Sequence, residues 1–116
     1  MKTYNQVFSE LKKKKEGALV AFIVIGDPDY ETSLEIAKKI ADSGADILEL
    51  GIPFSDPIAD GRTIQAADLR ALKNGMNTDK AFEFVKDLRK YTDIPIGFLT
   101  YYNLVYQRGL GKFYHD

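Results

Sequence analysis

The fold of this chain is indicated first by one apolar stretch, Ala18-Leu-Val-Ala-Phe-Ile-Val-Ile25. It is too short for a typical helix and is rich in β-branched residues, which predicts a strand that is buried on both faces, as in a parallel sheet. Apolar residues at helical spacing follow between 34 and 41, and a second apolar run comes directly after them at 46–52. The stretch therefore opens a predicted strand–helix–strand unit.

The same alternation continues on both sides of this unit. Before it, apolar residues three and four apart predict a helix over 4–15. After it come two more helical patterns, the second with Thr78 as its expected N-cap, then a strand at 96–100 and a last helical stretch. Residues 1–116 thus form a single α/β domain. Three units are too few for a flavodoxin-like sheet or a (β/α)₈ barrel, so we expect an incomplete fold.

Composition narrows the classes of protein that remain. The 116 residues carry 16 Lys and Arg against 17 Asp and Glu, a formal charge of -1, and include no cysteine. This balance excludes the basic surface of a nucleic-acid-binding protein, and it excludes disulfide and cysteine chemistry. The longest apolar run is far shorter than the roughly 18 residues that span a membrane. Because the first residues lack the apolar stretch of a secretory signal, we expect a cytoplasmic protein.

Glu49 interrupts the second apolar run. Alternation along a strand places Leu48, Leu50 and Ile52 on one face, where helices are expected to cover them, and Glu49 on the other, toward the space that the strands enclose. A carboxylate there is costly to bury unless it is paired or protonated. Glu49 is therefore either a structural residue that accepts a backbone or serine hydrogen bond, or a general acid/base near the C-terminal end of a parallel strand.

A long loop follows this strand, Pro53-Phe-Ser-Asp-Pro-Ile-Ala-Asp-Gly61. Its length and its two aspartates favour a functional loop. Asp56 precedes a proline and is equally explained as a turn former, while Asp60 is also a candidate N-cap of the next helix. The spacing of these acids matches no metal motif, so no metal site is predicted. The sole histidine, His115, is expected to be solvated near the end of the chain.

The run from Glu49 to Gly61 closely resembles the signature of the tryptophan synthase alpha chain family. Further similarities extend over the whole chain, at 15–18, 26–28, 64–65, 70–71, 95–97 and 101–103. The resemblance implies a (β/α)₈ TIM barrel, of which this chain supplies an N-terminal helix and about the first three βα units. It also implies a lyase of tryptophan biosynthesis, which splits indole-3-glycerol phosphate into indole and glyceraldehyde 3-phosphate by a retro-aldol route.

The resemblance also implies a role for each site residue. Glu49 is the general acid/base, and Asp60 accepts the indole N–H and stabilises the positive charge that develops on the ring nitrogen. Phe22, Leu99 and Tyr101 match positions that line the indole pocket, and flat apolar walls suit an indole ring.

The family implies a partner as well, the beta chain of an alpha2beta2 tetramer. Pro53, Asp56 and Asn103 match positions at that interface. Pyridoxal phosphate belongs to the beta chain, so we expect no cofactor here. Two departures stand out: Arg62 replaces the usual proline, and the family's phosphate-binding residues come from later strands of the barrel. The alternatives are a non-catalytic chain that only binds the beta chain or self-associates, and a different phosphate-substrate lyase, which would use Mg²⁺.

Overall fold

A computed structural model of the chain describes residues 2–55 and 59–115. Helices and strands alternate in it as follows: α1 Tyr4–Lys14, β1 Val20–Val24, α2 Tyr30–Asp42, β2 Ile47–Gly51, α3 Arg62–Lys73, α4 Thr78–Arg89, β3 Ile96–Leu99, α5 Tyr102–Arg108 and α6 Leu110–His115. The strands form one parallel sheet in the order β1-β2-β3. The predicted strand–helix–strand unit is confirmed. None of the helices in the described ranges has the length and hydropathy of a bilayer-spanning segment.

The two faces of β2 pack against different helices. Leu48, Leu50 and Ile52 are buried in the main core together with apolar residues of α2, α3 and α4, as predicted. Ile47 belongs to a separate cluster with Val7 and Leu11 of α1. Helix α1 therefore covers the start of β2 on the face opposite the main core, and the other end of that face is left open for the candidate site.

Two helix boundaries differ from the prediction. The N-cap of α4 is Asn77, whose side chain accepts the N–H of Lys80, and Thr78 is the first helical residue. Both types cap helices well, so the sequence alone left one residue of ambiguity. The last helical stretch is two helices, because Gly109 ends α5 with φ +93°, a conformation that favours glycine.

The prediction that β1 is buried on both faces is wrong. Val20 at its start is 44% exposed, and Ala21, Phe22 and Ile23 are half-buried. Within the described residues β1 is an edge strand that pairs with β2 alone. The apolar composition of β1 predicts complete burial, but one edge of this strand is unpaired within the described residues, and its side chains remain partly exposed.

Candidate active site

A cavity of about 300 Å³ opens beyond the C-terminal ends of the three strands. Four residues predicted to act together from the sequence line it: Phe22, Asp60, Leu99 and Tyr101. The other lining residues come from the end of β2, from α3 and its preceding loop, and from the segment that leads from β3 into α5: Gly51, Ile52, Ala59, Ile64, Asp68, Thr100 and Tyr102. Both tyrosines after β3 face this space. The cavity is mostly apolar and holds two carboxylates.

Glu49 lies one step deeper on the same face of the sheet. It is in register with Phe22 on β1 and Gly97 on β3, and side chains at one level of a parallel sheet point the same way. The ring of Phe22 passes over Gly51, where an added Cβ would meet its Cζ at 2.8 Å. Glu49 is half-buried, and the described residues include no hydrogen-bond or ion-pair partner for its carboxylate. The structural partner considered from the sequence is thus not found among them.

Asp60 is held by its neighbours at both its backbone and its side chain. The Tyr101 hydroxyl donates to Asp60 Oδ2 at 3.3 Å and accepts the N–H of Ala59 at 3.0 Å. The Gln65 Nε2 group donates to the backbone carbonyl of Asp60 at 2.8 Å. The N-cap of α3 is Gly61, without a side-chain hydrogen bond, so the capping alternative for Asp60 is wrong. Asp60 lies one residue too early to cap this helix.

The loop that carries Asp60 also contacts Tyr101 through a ring. Phe54 stacks on Tyr101, with ring centroids 4.7 Å apart and planes at 25°. Among the predicted interface residues, Pro53 is buried and Asn103 is exposed on α5. Asp56 lies outside the described residues. The interface roles of all three stay predictions.

Sequence reasoning missed Asp68, a second carboxylate at the cavity. It lies on α3, is only 3% exposed and lines the cavity together with Asp60. Burial, with smaller contributions from the charges of Asp60 and Asp27, raises the pKa of Asp68 to about 6. The signal was present, since Ala67 and Ala71 define the buried face of α3 and Asp68 shares it.

An ion pair fixes the loop after β1 against the same helix. Arg70 of α3 donates to both carboxylate oxygens of Asp27, at 2.7 and 3.0 Å, and Asn74 donates to the backbone carbonyl of Pro28. Arg62, at the first position of α3, is exposed. No group of three or more potential metal ligands occurs in the part of the chain that the structure describes.

Comparison with known proteins gives consistent matches. A family profile described as tryptophan synthase alpha chain matches residues 8–116. The tryptophan synthase alpha chain of Methanothermobacter thermautotrophicus is 55% identical over 108 residues, covering 92% of this chain and 40% of the relative. That of Cronobacter sakazakii is 53% identical over 115 residues, covering 98% and 43%. This chain therefore spans less than half the length of these relatives.

Solved structures share the arrangement of helices and strands. Tryptophan synthase from M. tuberculosis, in its aminoacrylate-bound form, matches with a TM-score of 0.91 at 30% identity, over 97% of this chain and 45% of that one. Tryptophan synthase subunit alpha from Legionella pneumophila str. Paris matches with a TM-score of 0.87 at 37% identity, over 90% and 40%.

Proposed function

Because the chain belongs to the tryptophan synthase alpha chain family, we propose that it carries the acid/base half of a site that cleaves indole-3-glycerol phosphate to indole and glyceraldehyde 3-phosphate. Its fold is the N-terminal part of that family's TIM barrel, and it consists of helix α1 followed by the first three βα units. The observation that carries the proposal is the cavity at the C-terminal ends of the strands. It combines the carboxylate of Asp60 with apolar walls from Phe22, Leu99 and Tyr101.

Glu49 is the general acid/base of this proposal. It gives a proton to the indole ring carbon that bears the glycerol chain, and it takes the proton of the adjacent glycerol hydroxyl as the carbon–carbon bond breaks. The electrons of that bond return to the indole ring, and the hydroxyl carbon becomes the aldehyde. The register of Glu49 with Phe22, on the face that leads into the cavity, supports this role.

Asp60 is the acceptor for the indole N–H. As the ring carbon is protonated, positive charge develops on the ring nitrogen, and a carboxylate beside it stabilises that charge. The hydrogen bond from the Tyr101 hydroxyl orients the Asp60 carboxylate, and the ring of Tyr101 forms part of the apolar wall.

The partner in this proposal is the beta chain of an alpha2beta2 tetramer, which would contact Pro53, Asp56 and Asn103. Pyridoxal phosphate would belong to that partner, and no cofactor is proposed here. The cytoplasmic location predicted from the sequence stays a prediction.

The test uses a complete barrel in which residues 1–116 are followed by the C-terminal part of the Methanothermobacter relative, here called the barrel chimera. We expect the barrel chimera to release indole from indole-3-glycerol phosphate. Glu49→Gln keeps the shape of the side chain but cannot transfer a proton, so kcat should fall by about 10² to 10⁴ with KM nearly unchanged. Asp60→Asn should lose a similar factor. Glu83→Ala, which removes an exposed carboxylate of α4, is the control.

Two results would contradict the proposal. One is a barrel chimera that folds and binds the substrate but releases no indole. The other is a Glu49→Gln variant that keeps more than a tenth of the parent kcat, which would remove Glu49 from the reaction.

A further inference from the structure

Hydrogen bonds at the two ends of helix α3 connect Asp60 with the loop that follows β1. At the start of α3, the Gln65 Nε2 group donates to the backbone carbonyl of Asp60 at 2.8 Å. In the last turn of α3, Arg70 donates to both carboxylate oxygens of Asp27, at 2.7 and 3.0 Å. Because both contacts belong to the same helix, the position of α3 relative to β1 also determines where the Asp60 backbone lies.

Apolar packing alone does not fix α3 along its own axis. The helix packs against β1, and the apolar residues of its buried face are Ala67 and Ala71. Methyl groups let the helix approach closely, but their contacts have no preferred direction. A guanidinium that donates two hydrogen bonds to one carboxylate fixes both distance and orientation. Asn74 adds a second directional bond, to the backbone carbonyl of Pro28.

The loop after β1 is itself held firmly, so it can align α3. The N–H of Ile25 donates to the Gly51 carbonyl on β2 at 3.0 Å, and the N–H of Gly26 donates to the buried Ser33 Oγ at 3.0 Å. The side chain of Asp27 is 20% exposed. The acceptor of the ion pair therefore belongs to a segment that is tied to both the sheet and α2.

We propose that Arg70 is a positioning residue for Asp60: its paired hydrogen bonds to Asp27 align α3 against the end of β1, and Gln65 carries this alignment to the Asp60 backbone. The proposal rests on the proposed function in that Asp60 is taken as the acceptor of the indole N–H. Arg70 lies outside the lining of the cavity, so it acts through the helix. The 12 residues of α3 span about 18 Å, and a displacement at its end is passed to its start.

The first test observes the contact at Asp60 without using turnover. In NMR spectra of the barrel chimera, the side-chain amide of Gln65 reports its hydrogen bond to the Asp60 carbonyl. Arg70→Ala should shift this signal and speed the exchange of its hydrogens with water, because α3 is then free to move along its axis. Lys73→Ala is the matched control, since it removes an exposed cation from the same turn of α3. An unchanged Gln65 signal in Arg70→Ala would overturn the proposal.

The second test measures the reaction of the folded variant. Arg70→Ala should lower kcat for indole-3-glycerol phosphate about tenfold with KM nearly unchanged, because Asp60 stabilises charge that develops in the transition state. A displacement of about 1 Å at a reacting group can cost roughly 10²-fold. Arg70→Lys keeps the charge but not the paired geometry, so it should recover only part of the loss. A parent-like kcat in Arg70→Ala would contradict the positioning role.

A third comparison asks whether Arg70 acts through Asp27. Asp27→Ala should lower kcat by a similar factor, and the double variant should lose no more than the larger of the two single losses, because both changes break the same contact. Losses that multiply would overturn the proposal, since Arg70 would then act independently of Asp27. If Arg70→Ala fails to fold, Asp27→Ala takes its place in the first two tests.

The outcomes separate this proposal from the proposed function. A parent chimera without turnover refutes the proposed function, and the Gln65 signal still decides whether Arg70 aligns the Asp60 backbone. A parent with turnover whose kcat and Gln65 signal are insensitive to Arg70→Ala refutes the positioning role alone.

Discussion

Burial makes the negative charge of Asp68 costly to keep at neutral pH. Its pKa is about 6 in the folded chain against the ordinary value of 3.8 for an aspartate, so the folded state holds this proton more tightly than the unfolded state. The unfolded chain loses the proton first as pH rises, and the free energy of unfolding falls between about pH 4 and pH 6. The shift in pKa limits this fall in the free energy of unfolding to about 3 kcal/mol. Because the site opens to water at the mouth of the cavity, the actual fall is smaller.

Asp68→Asn removes this pH dependence. Asparagine does not titrate, so only the parent loses stability as the pH rises. The difference in the free energy of unfolding, variant minus parent, should therefore grow by about 1 to 3 kcal/mol from pH 4 to pH 6.5 and then stay constant. Urea unfolding of the barrel chimera at a series of pH values measures the difference. A difference that is flat over this range would show that Asp68 is not desolvated.

The Tyr101 hydroxyl can be tested separately from its ring. Tyr101→Phe keeps the stacking on Phe54 but removes the hydrogen bonds to Asp60 and Ala59. We expect kcat/KM of the barrel chimera to fall about fivefold, the effect of about 1 kcal/mol. Tyr102→Phe is the matched control, because the Tyr102 ring also lines the cavity but its hydroxyl has no hydrogen-bond partner in the described residues. Equal losses in the two variants would contradict the assigned role of the hydroxyl.

At the residue scale, the sequence and the resemblance named four side chains that line the cavity but not how these side chains are held. Alternation along β2 placed Glu49 on the correct face, because a strand's period of two follows from local geometry. The resemblance located Asp60 and Tyr101. The hydrogen bond from the Tyr101 hydroxyl to Asp60 joins the segment after β3 to the loop before α3 through tertiary packing, and nothing local in the sequence specifies it. Asp68 could have been noticed only as a carboxylate on an otherwise apolar helical face.

At the element scale, Gly26 lets the end of β1 turn into the loop before α2. Its φ is +87°, its N–H donates to Ser33 Oγ, and a Cβ added there would lie 1.9 Å from the buried Met76 Cγ. Gly26→Ala should therefore combine backbone strain of about 1 to 2 kcal/mol with about 1 to 3 kcal/mol for displacing Met76. Gly44→Ala is the control, because Gly44 has φ +103° and no atom within 4 Å.

The comparison isolates the contact with Met76. Urea unfolding of the barrel chimera should show Gly26→Ala to be more destabilising than Gly44→Ala, and the excess should shrink when Met76 is also replaced by alanine. If the two glycine variants lose the same stability in the parent background, backbone strain alone explains Gly26 and the Met76 contact is unimportant.

The existence of the helices followed from the sequence more closely than their boundaries did. Asp29 caps α2 and Gly109 ends α5 through chemistry that acts within a few residues, but neither boundary was predicted. The burial of β1 did not follow, because a strand's exposure depends on what pairs with its far edge. An apolar composition predicts that a strand prefers to be buried. Within the described residues, β1 has a neighbouring strand on one side only, so it is not fully buried.

At the scale of the whole molecule, residues 1–116 leave both outer strands with an unpaired edge within the described residues. Apolar side chains lie exposed on these strands, with Leu99 of β3 54% exposed and Val20 of β1 44% exposed. Unpaired edges with exposed apolar residues recruit other strands. In the longer relatives, the rest of the barrel would cover these edges. Where the rest of the barrel is absent, a second copy of the chain can pair with them instead.

We therefore expect residues 1–116, expressed by themselves, to self-associate at micromolar concentration and to release no indole from indole-3-glycerol phosphate. The cleavage should fail because the resemblance places the phosphate-binding residues in later strands. Sedimentation measures the first expectation and an indole assay the second. Val20→Lys places a charge on the exposed edge strand and should weaken the association. A compact 13.1 kDa monomer with cooperative unfolding would contradict the edge argument, because the three βα units would then be stable without further strands.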